Sequence, residues 1–132
     1  MPEIPNNDNT SACILVAEDN HINRRAIVAM LRWLGCSVIA ACNGREAVAL
    51  TTSHRPALIL MDLHMPEMDG LTATRAIRQF PDHQHTPIIA ITGDRFPGVR
   101  ESCRNAGMDH FLPKPFEFHD LQSILRRYQL IT

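Results

Sequence analysis

Apolar and polar positions along the chain switch repeatedly between short continuous runs and a helical period. Cys13-Ile14-Leu15-Val16-Ala17, Ala57 to Met61 and Pro87-Ile88-Ile89-Ala90-Ile91 are apolar runs of strand length. Residues His21 to Leu34 place Ile22, Ala26, Ala29, Met30 and Trp33 at helical spacing, with Asn20 to cap the helix and Gly35 to stop it. Cys36 to Ala41 makes a second strand. Asn43 then caps a helix carrying Ala47, Val48 and Leu50 that ends before Pro56. A third helix spans Leu71 to Phe80, with Leu71, Thr74, Ile77 and Arg78 in register, and a polar loop from Pro81 to Thr86 follows it. A weaker helix covers about Arg95 to Asn105, with Pro97 and Gly98 unfavourable near its start and Gly107 closing it. Asp109 to Leu112 is a short fifth strand. An amphipathic helix from about Phe116 to Leu130, with Leu121, Ile124, Leu125 and Tyr128, ends the pattern.

Strand and helix thus alternate five times, and three strands are nearly continuously apolar. Such strands suit a parallel sheet covered on both faces. The expected fold is α/β: a five-stranded parallel sheet, doubly wound as (βα)5 with right-handed crossovers, a flavodoxin-like three-layer sandwich. Residues 12–132 form one domain in this reading. Residues 1–11, rich in Pro, Asn, Asp, Ser and Thr, read as a flexible leader or the end of a linker.

Composition narrows the classes. With 132 residues, the chain can remove roughly two-thirds of its surface from water on folding. Its 45% apolar and 20% charged residues are ordinary for a soluble globular domain. Thirteen basic and fourteen acidic residues leave a net charge of −1, which offers no electrostatic footprint for nucleic acid. No apolar run approaches the roughly 18 residues of a membrane span, and the first residues lack the charged and apolar regions of a signal peptide. Cys13, Cys36, Cys42 and Cys103 form no C-x-x-C pair and read as thiols of a reducing cytoplasm. His83-Gln84-His85 has no third ligand near it in the sequence and reads as a solvated loop rather than a metal site.

The chemistry gathers after the strands. Glu18 and Asp19 follow the first, Asp62 the third, Thr92 and Gly93 the fourth, and Lys114 the fifth. In an open parallel sheet these ends share one edge, where ligands bind. Three packed acids repel one another, and burial would raise their pKa values. A divalent cation resolves the repulsion, and oxygen-only ligands favour Mg²⁺. One carboxylate can then remain ionised and attack a phosphoryl group, while Thr92 and Lys114 supply a hydrogen bond and a positive charge.

Four segments carry a resemblance. They are Ile14-Leu15-Val16-Ala17-Glu18-Asp19-Asn20, Met61-Asp62-Leu63-His64-Met65-Pro66-Glu67-Met68-Asp69-Gly70, Ile89-Ala90-Ile91-Thr92 and Pro113-Lys114-Pro115-Phe116. In this order they resemble the signature segments of response-regulator (CheY-like) receiver domains, from about Cys13 to Leu130, and in wording the receivers of hybrid sensor histidine kinases. The resemblance implies Asp62 as phosphoacceptor, taking a phosphoryl group from a phosphohistidine. It implies Asp19, Asp62 and the His64 carbonyl as Mg²⁺ ligands, with Glu18 acting mainly through water. Thr92 would be the switch hydroxyl, Phe111 the switch aromatic, the Gly93 amide a further phosphoryl contact and Lys114 its ion-pair partner. The Lys114-Pro115 peptide would be cis. His64 and Asp94, each two residues beyond a site residue, would tune hydrolysis of the aspartyl phosphate, and Gly93, where alanine is commoner, would loosen the backbone.

Other readings stand beside these. Asp19 also fits a helix cap, Phe111 a core phenylalanine, His64 an exposed loop histidine and Asp69-Gly70 a simple turn and helix start. A flavodoxin-like electron carrier would want a Ser/Thr/Gly-rich anion loop where Glu18-Asp19-Asn20 stands. An aspartate-nucleophile hydrolase would want its nucleophile after the first strand and a substrate cap. The implied protein is a signalling module of a phosphorelay, catalysing only its own phosphorylation and dephosphorylation and changing its surface at the fourth helix, fifth strand and fifth helix. Its expected partners are a sensor histidine kinase or a histidine phosphotransfer domain. Nucleic acid and membrane contacts are not expected, and the expected state is a cytoplasmic monomer or weak dimer. The polar leader and the hybrid-like wording favour a receiver from a longer hybrid kinase, itself compatible with a membrane anchor, over a stand-alone regulator.

Overall fold

Five parallel strands, β1 (Cys13–Ala17), β2 (Ser37–Ala41), β3 (Leu58–Asp62), β4 (Ile88–Thr92) and β5 (His110–Pro113), lie in the order β2-β1-β3-β4-β5. This computed structural model describes residues 12–132, and the expected leader, residues 1–11, lies outside the described residues. The crossovers are the helices α1 (His21–Trp33), α2 (Gly44–His54), α3 (Gly70–Ile77) and α4 (Val99–Ala106), and α5 (Phe118–Arg127) follows β5. The doubly wound α/β expectation holds.

Side-chain alternation along the strands builds two cores. Ile14, Val16, Leu58, Leu60, Ile89 and Ile91 face α1 and α5, meeting Ile27, Leu31, Leu121 and Leu125. Leu15, Ala17, Ile59, Met61, Ile88 and Ala90 face the opposite side, meeting Ala47, Ala73, Ile77, Val99 and Cys103 of α2, α3 and α4. Every residue of β3 and β4 is buried, which is why these strands read as unbroken apolar runs. The edge strands β2 and β5 are only partly buried.

The strand order reverses at β1 and β3, so the crevice between their carboxyl ends is the topological switch point. Glu18 and Asp19 leave one of these strands there, and Asp62 is the last residue of the other. Local chemistry then starts the helices cleanly. Asn20 accepts from the Asn23 amide at 2.9 Å, Asn43 from Glu46 at 2.8 Å and Asp69 from Thr72 at 2.8 Å. The Lys114-Pro115 peptide is cis.

Four expectations need correction. The apolar stripe of α1 points the wrong way: Ile22 is 76% and Trp33 82% exposed, and Ile27 and Leu31 make the core contact instead. This helix carries apolar side chains on opposite faces, so periodicity alone cannot say which one meets the sheet. Helix α4 starts at Val99 rather than near Arg95, because Pro97 disfavours helical backbone at Phe96 and Gly98 takes a left-handed φ of 85°. Helix α3 starts at Gly70 and ends at Ile77, and α5 is shorter at both ends than its pattern suggested. Finally, His83 is buried, not solvated. It ends a 3₁₀ turn (Pro81–His83) with Nδ1 3.0 Å from the Thr86 hydroxyl. The Arg78 guanidinium ties this loop down, donating to the carbonyls of His83, Thr86 and Gly107 and to Asp109. All four cysteines are free thiols, as expected.

At Gly70 the acid edge tolerates no added bulk. A Cβ there would collide with the Asp62 carbonyl oxygen and lie 3.0 Å from Leu63 Cα, both of them backbone. Gly70→Ala should therefore cost about 3 kcal/mol in a urea unfolding titration, since the start of α3 must back away from β3. Gly93 has open space around the same position and no left-handed φ. Gly93→Ala should be neutral to about 0.5 kcal/mol stabilising in the same assay.

Candidate functional site

The register of the sheet assembles the site. Asp62 pairs with Ile91, which places Thr92 one step further along the neighbouring strand. Thr92 pairs in turn with Pro113, and the Lys114 amide donates to the Thr92 carbonyl at 2.8 Å. On the other side β1 runs parallel to β3 and delivers Glu18 and Asp19 past Ala17. Four strand ends thus contribute, and each contributing strand is pinned by neighbours.

One carboxylate oxygen each from Glu18, Asp19 and Asp62 can lie within 4.8 Å of the others. Lys114 Nζ is 2.6 Å from Glu18 Oε1 and 3.2 Å from Asp62 Oδ2. Glu18 is 1% and Asp62 5% exposed, whereas Asp19 stands in solvent. The second Glu18 oxygen accepts from the Asn20 amide at 3.1 Å. Glu18 is therefore fully engaged inside the protein, and Asp19 with Asp62 forms the open side of the cluster.

Among the described residues, charge in this space is unbalanced, with three carboxylates against one ammonium. Burial first, and the Glu18 carboxylate second, push the Asp62 carboxyl up from 3.8 to about 6, against the opposing pull of Lys114. Burial pulls the Lys114 ammonium down, but the Glu18 hydrogen bond and the two carboxylate charges outweigh it and hold the group above its ordinary 10.5. The cluster is an oxygen-only donor set with a deficit of positive charge and one open side. That is the chemistry of a hard divalent cation site.

The other expected residues arrange themselves around this cluster. Thr92 is buried, and its hydroxyl accepts from the Asp94 amide at 3.1 Å. His64 Nε2 pairs with Asp94 Oδ2, a link between the loop after β3 and the loop after β4. The hydrogen bond to Asp94 is the main reason the His64 imidazole is raised above its ordinary value. Gly93 is exposed, in open space. Phe111 is half-buried against the core on the α4 side, with the Arg100 guanidinium 4.7 Å above its ring, so it stands outside the acid cluster.

Sequence reasoning missed two residues. Arg95 donates to the Lys114 carbonyl at 3.2 Å, and Arg24 donates to the Glu18 carbonyl at 2.9 Å. Arg24 lies one helical turn after the Asn20 cap, a spacing that lets a long side chain fold back over the loop. Nothing in the apolar pattern marks it.

Fold and site define a doubly wound (βα)5 domain with a carboxylate cluster at its switch point, and comparison with known proteins gives the family. Residues 14–126 match the response regulator receiver domain, and the chain belongs to that family. It is 37% identical to the signal transduction histidine-protein kinase BarA of Escherichia coli K12 over 116 residues, 88% of this chain and 13% of BarA. It is 42% identical to the hybrid signal transduction protein dokA of Dictyostelium discoideum, over 85% of this chain and 7% of dokA. The chain thus spans only a small part of these long relatives. The polar-differentiation response regulator DivK of Brucella anthropi is 31% identical over 87% of this chain and 94% of its own length. Among solved structures, the receiver domain of sensor histidine kinase PA1611 from Pseudomonas aeruginosa is 43% identical, with a TM-score of 0.84 over 89% of this chain and 97% of that one. That structure holds a magnesium ion in its active site cleft. The chemotaxis protein CheY4 of Vibrio cholerae is 30% identical, with a TM-score of 0.85. The protein is a CheY-like receiver domain of two-component signalling, and no described helix is long and apolar enough to cross a membrane.

A carboxyl raised in the folded state favours folding while protonated and disfavours it once ionised. Asp62 should therefore lower the stability of the metal-free protein as pH rises from about 4 through about 6. A shift of that size corresponds to about 3 kcal/mol at most, and water at the open rim reduces it to about 1–2 kcal/mol. With a chelator present, Asp62→Asn should raise the melting temperature at neutral pH, and the gain should vanish below about pH 4.

Proposed function

We propose that this receiver takes a phosphoryl group from a phosphohistidine onto Asp62, in a reaction that needs Mg²⁺. The observation that carries this reading is the placement of Asp62: a raised, buried carboxylate at the switch point, 3.2 Å from one ammonium and grouped with two further acids. Glu18, Asp19 and Asp62 fit the ion by donor type and by their charge deficit. Asp19, Asp62 and the His64 carbonyl would hold it directly, with Glu18 acting through water. When bound, Mg²⁺ supplies the positive charge that keeps Asp62 ionised and steadies the charge of the transferring group.

The residues of the chain then divide the work. An Asp62 oxygen attacks phosphorus, the phosphorus–nitrogen bond of the donor breaks, and the imidazole leaves with the bonding electron pair. Lys114, released from Asp62 Oδ2 and still held by Glu18, pairs with an oxygen of the arriving phosphoryl group. The Thr92 hydroxyl, which accepts from the Asp94 amide in the resting site, turns to donate to another phosphoryl oxygen, and the Gly93 amide donates to the same group. The turn of Thr92 leaves room into which Phe111 moves. Its cover of Arg100 breaks, and the surface of α4, β5 and α5 changes. The partners are a histidine kinase and a histidine phosphotransfer domain, and the output is binding rather than turnover of a metabolite.

Incubation with Mg²⁺ and acetyl phosphate should add the mass of a single phosphoryl group to the wild type and none to Asp62→Asn, by intact-protein mass spectrometry. Wild-type protein of unchanged mass, or equal labelling of both, would sink the assignment. Thr92→Ala and Lys114→Ala should label about 10²-fold more slowly.

The His64–Asp94 pair joins the loops after β3 and β4, beside Asp62, and in this reading it hinders the approach of hydrolytic water. Breaking it from either side should shorten the lifetime of the aspartyl phosphate, followed by loss of the added mass after donor removal. Because the two residues act as one strap, the His64→Ala, Asp94→Ala double variant should decay no faster than the quicker single variant.

A further inference from the structure

Among the described residues, Arg24 forms no ion pair, yet its guanidinium is committed. Nη1 donates to the Glu18 carbonyl at 2.9 Å and approaches the Asp19 carbonyl at 3.4 Å, while Nη2 lies 3.2 Å from His21 Nδ1. Neither carbonyl accepts a backbone N–H in the turns and loops of the described residues. Glu18 is 1% exposed, so its carbonyl has little access to water and needs a protein donor. Arg24 fills that need from the second turn of α1, a helix that the Asn20 cap has already fixed to the loop.

Both carbonyls belong to residues whose carboxylates build the acid cluster. The side chains of Glu18 and Asp19 leave the same short backbone that Arg24 clamps, and that backbone must hold two like charges near a third. Without the clamp, repulsion among the carboxylates would turn the loop outward, with Asp19 leading because its side chain is exposed and, among the described residues, no hydrogen bond holds it. We infer that Arg24 is a positioning residue for the cation site: it fixes the Glu18-Asp19 backbone so that both carboxylates face Asp62, and thereby sets divalent-cation affinity. The inference rests on the metal-dependent reading proposed for the cluster.

A positive charge near a cation site also acts in the opposite sense, by repelling the ion. The geometry decides between the two effects. The guanidinium sits on the carbonyl side of the loop and within ion-pair distance of none of the three carboxylates, so its charge is spent on backbone dipoles. Orientation of ligands by such outer contacts commonly sets metal affinity by 10- to 100-fold, so loss of the clamp outweighs relief of repulsion.

Calorimetric titration of Mg²⁺ into the folded proteins tests this directly. Arg24→Ala should weaken Mg²⁺ binding about 10-fold or more. Arg24→Lys, which keeps the charge but not the planar fork, should recover only part of that loss. Labelling by acetyl phosphate should need more Mg²⁺ in Arg24→Ala but reach about the wild-type rate at saturation, a split that general loosening of the fold would not produce. Unchanged or tighter Mg²⁺ binding in Arg24→Ala would overturn the inference, and so would a loss of rate that saturating Mg²⁺ does not restore. Should Arg24→Ala fail to fold, as judged by circular dichroism, Arg24→Lys carries the test with the same criteria. Wild-type protein that binds no Mg²⁺ would instead refute the metal-dependent reading itself, which separates the two failures.

Discussion

Among the described residues, Lys114 is the one cation inside a cluster of three carboxylates, 2.6 Å from Glu18 and 3.2 Å from Asp62. Its charge lets two acids be buried together at the end of a parallel sheet, yet it leaves the space net negative. Removing an ionised carboxylate from water is costly unless it is paired and hydrogen-bonded. Glu18 meets that condition through Lys114 and the Asn20 amide. Asp62 meets it only in part, and its raised carboxyl records the remainder. A site that stores unfavourable charge in this way is poised for a cation.

The rest of the fold serves to hold that imbalance still. Strands β3 and β4 are buried from end to end, so Asp62 and Thr92 project from rigid, fully paired backbone. Glycine at position 70 lets α3 press against the Asp62 carbonyl, and Gly44 approaches the Met68 carbonyl in the same manner, with its amide donating to it at 2.9 Å. Both close approaches fasten the loop after β3 to neighbouring helices. By contrast, the loop after β4 from Gly93 to Gly98 is mostly exposed and joins the site through Thr92, Asp94 and Arg95. Within the proposed function, a rigid acceptor on one strand and a freer loop on the next is the arrangement a switch requires.

Much of this was legible along the chain. Continuous apolar runs identify buried parallel strands because both sheet faces are covered, and the polar residue ending each run then falls at the functional edge. Glu18, Asp19, Asp62, Thr92 and Lys114 were found in this way. Other features were not legible. The two-faced helix α1 hid which side meets the sheet, and Ile22 and Trp33 proved exposed. His83 reads as a polar loop residue until Arg78 is seen gathering the carbonyls around it. Arg24 carries no apolar pattern, since the two carbonyls it reaches belong to residues five and six positions earlier.

The sequence by itself determined the order of elements, the class of fold and the residue types delivered to one sheet edge. These follow from hydrophobic period and from helix-capping and turn chemistry, which act over a few residues. Tertiary structure alone decided which carboxylate pairs with Lys114, which acid stays open to solvent, which face of α1 is buried and how the His64 and Asp94 loops meet. Those outcomes depend on distances between residues far apart in the chain. Electrostatic energy and desolvation change steeply with such distances and with burial, and neither quantity is written in any local stretch of sequence.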